Sequence, residues 1–134
     1  MRRFLRLVTV LLVGCEPVLG IGLEGTRGNL KISLRNCKNG EKLGVNHISV
    51  IDGLGVELGQ AAHEVCELRP PAGPVNAITD WQYGTRPPGY AVLGCAPLTS
   101  GPVYTVVISR PYGARRFRLT NDDSIQPLDP VCPP

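Results

Sequence analysis

The 134 residues contain no apolar run of the roughly 20 residues that a membrane-spanning helix needs. No window of a dozen residues carries a helical period of 3.6, which argues against a helical fold. Catalytic signatures are missing as well, with neither a Gly-x-Ser-x-Gly nor a His-Glu-x-x-His segment present. His47 and His63 are the only histidines. There is no Cys-x-x-Cys, and Cys37, Cys66, Cys95 and Cys132 follow at intervals of 29, 29 and 37 residues, which suit no zinc site. An excess of one charge is also lacking once the N-terminus is set aside. The chain has 14 Lys+Arg against 11 Asp+Glu, but Arg2, Arg3 and Arg6 lie at the very start, leaving 11 against 11. A general electrostatic footprint for nucleic acid is therefore absent. No metal and no small-molecule cofactor is expected.

What is present begins with an address. Arg2, Arg3 and Arg6 precede the apolar block Leu7–Val13, the charged start and short apolar stretch of a secretory signal. The block ends Leu12-Val13-Gly14-Cys15, which resembles the lipobox of bacterial lipoproteins. That resemblance implies diacylation of the Cys15 sulfur and cleavage before it, and two acyl chains anchor firmly where one is marginal. By the sorting rule of enteric bacteria, Glu16 in place of Asp points to the outer membrane. The alternative is an ordinary cleaved signal with Val18-Leu19-Gly20 as its small-residue site, giving a soluble periplasmic or secreted protein. As a whole the chain resembles the small lipoproteins of Gram-negative envelopes.

Four cysteines in an exported chain read as two disulfides. Three connectivities are open, and neighbours in sequence favour Cys37–Cys66 with Cys95–Cys132. Residues 1–14 are expected to be the signal, and 15–28, rich in glycine, a lipidated cysteine with a flexible tether. A sandwich domain should occupy 29–121, and a tail of 122–134 should be pinned by Cys132. Within the domain, short alternating runs are bounded by Gly, Pro, Asn and Asp: 30–35, 45–51, 64–69, 77–83, 90–95, 103–109 and 115–119. Seven such runs predict an all-β fold, an antiparallel β-sandwich with one buried face per sheet.

The segment Leu98-Thr99-Ser100-Gly101-Pro102-Val103-Tyr104 and the run after it resembles the approach to strand F of fibronectin type III modules. The resemblance rests on Leu98, Gly101 and Tyr104. It implies an immunoglobulin-like or fibronectin-like architecture and a tyrosine corner, in which the ring packs inward while the hydroxyl bonds the backbone just upstream. Trp81 sits later in the chain than those modules place their tryptophan, and disulfides are uncommon in them.

Candidate sites are few. Gly20-Ile21-Gly22-Leu23-Glu24-Gly25 spells a dinucleotide fingerprint, but no helix follows it, so it reads as linker. His47 and His63 with Glu64, Glu67, Asp52 and Asp80 contain metal-ligand and general-base residue types, yet alternation alone puts His47 and Ser49 on one face. Arg110, Arg115, Arg116 and Arg118 cluster with Tyr112 on the last hairpin, as an anion-binding patch or as charge protecting an edge. Arg116 and Arg118 should face outward, with Arg115 beside Phe117 or at the turn. The proline loops Arg69–Pro74 and Arg86–Tyr90 flank Trp81, Tyr83 and Tyr90, which would be either partner anchors or core filler. The expectation is a binding or structural module, not an enzyme, held at the outer membrane facing the periplasm and meeting an envelope protein. The alternative is a periplasmic inhibitor of a hydrolase such as lysozyme.

Overall fold

A computed structural model describes residues 16–53 and 63–134. The expected signal, residues 1–14, and Cys15 lie outside the described residues. Nine strands are present: β1 (Leu19–Glu24), β2 (Lys31–Asn36), β3 (Ile48–Asp52), β4 (His63–Arg69), β5 (Asp80–Gln82), β6 (Ala91–Gly94), β7 (Tyr104–Ser109), β8 (Tyr112–Leu119) and β9 (Ile125–Pro127). There is no helix among the described residues.

The strands form two antiparallel sheets, one in the order β1-β2-β5 and one in the order β6-β4-β3-β7-β8-β9. Each of the seven expected runs overlaps a strand. The reason is alternation: Ile32 and Leu34 on β2, Ile48 and Val50 on β3, Val106 and Ile108 on β7, and Phe117 and Leu119 on β8 are all buried. Side chains at period two bury one face of each strand. The inner faces meet in a single core that also takes in Trp81, Tyr90 and Leu98 from shorter elements and loops.

Residues 19–24, expected within the tether, instead form β1. Leu19, Ile21 and Leu23 point into the core, while Gly20 and Gly22 occupy the other face. Gly20 allows a close approach, because a Cβ there would lie 2.6 Å from the Cys37 sulfur. The dinucleotide-like string is therefore strand, not linker.

The cysteine pairing also differs from the expectation. Cys37 bonds Cys132 and Cys66 bonds Cys95. Cys66 lies on β4 and Cys95 just follows β6, so that bridge joins neighbouring strands of one sheet. The other bridge completes a lacing of the two sheets by the C-terminal segment. Leu128 N–H donates to the Arg116 carbonyl on β8, at 2.9 Å. Ile21 N–H on β1 donates to the Val131 carbonyl, at 3.3 Å. The tail thus runs between the borders of both sheets and ends on Cys37.

Candidate binding surface

The outer face of the six-stranded sheet is built by the residues that alternate with the core. Register places Leu93, Glu67, Ser49, Val107 and Ala114 in one row across five strands. The next row holds Glu64, Ile51, Thr105 and Arg116. Among the described residues, Leu93 (42% exposed) and Tyr112 (69%) are the exposed large apolar side chains. Both fall on this face, Leu93 on the border strand β6 and Tyr112 on β8, four strand spacings or about 19 Å apart across the sheet.

Between them lies a polar network. Glu67 is almost fully covered, and its Oε1 accepts a hydrogen bond from Arg69 Nε at 2.7 Å and faces His47 Nε2 at 3.1 Å. Its Oε2 accepts from Arg69 Nη2 at 3.1 Å. The Arg69 guanidinium, followed by His47 and Glu64, holds the Glu67 carboxyl down at about 2, against a desolvation that acts the other way. Ser49 Oγ donates to Glu64 Oε1 at 2.9 Å. His47 and Ser49 are therefore neighbours that engage different carboxylates, so no proton relay links them. His63 pairs with Asp52 at the other end of β3, away from His47. The two histidines do not meet, and among the described residues no group of three or more metal-binding side chains is assembled.

The residues singled out from sequence are placed mostly inside. Trp81 is 3% exposed, with Nε1 donating to the Thr85 carbonyl at 2.8 Å, and its ring tilts against Tyr83 at 6.1 Å. Tyr83 Oη donates to the Ala96 carbonyl and Tyr90 Oη to the Asn76 carbonyl, each at 2.6 Å. Burial, aided by Tyr104, pushes the Tyr83 phenol up to about 12. These aromatics act as struts that fasten loops to the core, Trp81 and Tyr90 buried and Tyr83 half-buried. A tyrosine corner is present too: Tyr104, the first residue of β7, accepts the Thr99 N–H at 3.0 Å, and its ring stacks on Phe117 at 5.5 Å.

Three of the four arginines in the cluster are similarly engaged, while Arg110 is exposed. Arg115 is buried beside Phe117, and its Nη1 donates to the Ile21 carbonyl and its Nε to the Asp129 carbonyl, both at 2.8 Å. Burial depresses its pKa. Arg116 grips both oxygens of Asp129, at 2.8 and 3.0 Å. Arg118 bonds Gln126 Oε1 at 3.0 Å. Arg116 and Arg118 do share the outward face, but the three guanidiniums brace β8 to the C-terminal segment. Sequence reasoning passed over Leu93, although its alternation with Val92 places it outward. It also passed over the Glu67–Arg69 clasp. The two residues are only two apart on β4, but the cover over Glu67 comes from the sheet around it. No family model matches the chain, and neither curated proteins nor solved structures show a significant similarity to it.

Proposed function

We propose that this protein is an exported, lipid-anchored β-sandwich that binds a protein partner in the cell envelope through the β6 border of its larger sheet. The observation that carries the reading is Leu93. It is a large apolar side chain left exposed on a border strand that the Cys66–Cys95 bridge clamps to β4. A border strand presents unpaired backbone groups to which an extended segment can add, and an adjacent apolar side chain supplies an anchor. Rigidity at the border lowers the entropy lost on binding. Export is supported by the N-terminal signal pattern and by the two disulfides, which persist in oxidising compartments.

An immunoglobulin-like assignment is supported by strand order. β1-β2-β5 corresponds to strands A-B-E and β3-β7-β8 to C-F-G, with β4 where variable-type domains add a further strand. Tyr104 stands at the start of the strand that corresponds to F.

The test is a photo-crosslinking residue at position 93 in cells, with Thr99 on a distant loop as control. A discrete adduct from position 93 that Val92→Pro removes is the expected result. No adduct at position 93, or the same adduct from position 99, would overturn the reading.

A further inference from the structure

The two sheets have four borders among the described residues, and three of them are guarded. β9 is three residues long and contains Pro127. β5 is equally short and carries Asp80, ion-paired with Lys42 at 3.1 Å. β1 is covered by the C-terminal segment, through the bond from the Ile21 N–H to the Val131 carbonyl. β6, Ala91-Val92-Leu93-Gly94, has neither charge nor proline and leaves Leu93 exposed. Charge, proline and cover keep a sheet border from pairing with another chain, and β6 lacks all three. Its free groups follow from the ladder. The Cys95 N–H donates to the Val65 carbonyl at 2.8 Å, so the pairs 95–65, 93–67 and 91–69 are the ones that bond to β4. The N–H and carbonyl of Val92 and of Gly94 therefore point away from the sheet, and among the described residues no hydrogen bond reaches them. Gly94 and Cys95, at φ +75° and +68°, turn the chain out of the strand, so these four groups are the whole edge.

We infer that the partner at this border is a second copy of the chain, joined by antiparallel β6–β6 pairing about a two-fold axis at Leu93. The inference rests on the β6 border reading above and names its partner. The free groups lie symmetrically on either side of Leu93. Val92 of one copy meets Gly94 of the other, the two exchange N–H and carbonyl, and the rotation repeats the exchange. Four hydrogen bonds form with no shift of register. The two leucines then face each other as the pair that is not hydrogen-bonded, the closer type, with Cα atoms about 4.5 Å apart. Charge agrees with this orientation. Arg69, level with Ala91, and Glu64 lie towards opposite ends of β4. The rotation sets the Arg69 end of each copy against the Glu64 end of the other. The two β4 strands stand three spacings or about 14 Å apart, so these charges favour the orientation without touching. Both edges are used up, so the assembly closes at two copies. A four-residue edge binds weakly in dilute solution. Copies held on one membrane by the proposed anchors meet at a far higher effective concentration.

The test expresses two full-length copies with different epitope tags in the same cells, each with the photo-crosslinking residue at position 93. The expected result is an adduct of twice the chain mass that carries both tags. An adduct of one tagged copy with a different protein overturns the self-pairing and leaves the border reading standing. No adduct overturns both. A second arm moves the crosslinking residue to position 91, which lies opposite position 95 of the second copy. Leu93→Asp in both copies should then lower the two-tag yield about tenfold or more, because like charges face each other across the axis. Leu93→Lys in both copies should do the same. Leu93→Asp in one copy with Leu93→Lys in the other should restore the yield, and that recovery also shows that both variants fold. A yield indifferent to the like charges, or not recovered by the mixed pair, overturns the two-fold pairing.

Discussion

Removing the Cys37–Cys132 bridge, by Cys37→Ser with Cys132→Ser, should do more damage than removing Cys66–Cys95. The bridged residues are 95 apart in one case and 29 in the other. Chain entropy gives about 4.7 kcal/mol for a loop near 100 residues and about 3.6 kcal/mol for one near 30. For a domain of this size the first loss is worth roughly 20 °C in Tm. It is also a large part of the total stability of a small domain, about 5–15 kcal/mol. The structure adds a local effect to the entropic one. Without the bridge, the polar ties from the described residues to the segment Leu128–Cys132 are Arg115, Arg116 and two backbone hydrogen bonds. It should open independently of the core. The assay pairs urea unfolding, followed by Trp81 fluorescence, with amide hydrogen exchange. Ile21, whose N–H is bonded to Val131, should lose protection while Val50 in the central strand keeps it. Equal costs for the two bridges, or unchanged protection at Ile21, would refute the account of the tail as a lace between the sheets.

Replacing Arg115 by Ala should cost about 2–4 kcal/mol in urea unfolding, because the Ile21 and Asp129 carbonyls lose their donors inside a closed seam. Tyr104→Phe keeps the ring on Phe117 but strips the acceptor from the Thr99 N–H, and should cost about 1–2 kcal/mol. Glu67 has its pKa lowered from 4.5 to about 2, so it stabilises the fold above pH 4.5 and that contribution disappears as the pH falls towards 2. Since Arg69 is 56% exposed, the effect should be only about 1 kcal/mol, and Glu67→Gln should flatten the stability profile in that window. In an ultraviolet titration of the folded protein one tyrosine should ionise only near pH 12, and Tyr83→Phe should remove that step.

The strands were legible in the sequence wherever polar side chains marked the outer face. β2 reads Lys31-Ile32-Ser33-Leu34-Arg35, and the period is visible. β1 obeys the same rule, yet its outer positions are Gly20 and Gly22, which look like linker when read alone. Their role appears only once the neighbours that press on them, the Cys37–Cys132 bridge and Ser33, are in place. The direction of Arg115 followed from its alternation with Phe117. Its task did not, because the carbonyls that hold it come from β1 and from the tail. Trp81 and Tyr90 carry the residue types of a binding surface. Their burial depends on how the loops fold back, and no local pattern encodes that. The cysteine pairing failed for the same reason: Cys37 and Cys132 stand 95 residues apart and meet only because the C-terminal segment returns to β1 and β2.

The nesting of one bridge inside the other has a consequence for biogenesis. In a chain threaded N-terminus first into an oxidising compartment, Cys37 arrives, then Cys66, then Cys95, and Cys132 comes last. Oxidation in order of arrival joins the first to the second and the third to the fourth, which is the wrong isomer on both counts. Maturation therefore needs either oxidation that waits for the sandwich to collapse or a catalyst that reshuffles mispaired thiols. If the chain is exported as proposed and oxidation does not wait, cells lacking such a reshuffling activity should accumulate a fully oxidised but unfolded form, in which Cys37 is captured by Cys66 and the last strands are left without their clasp.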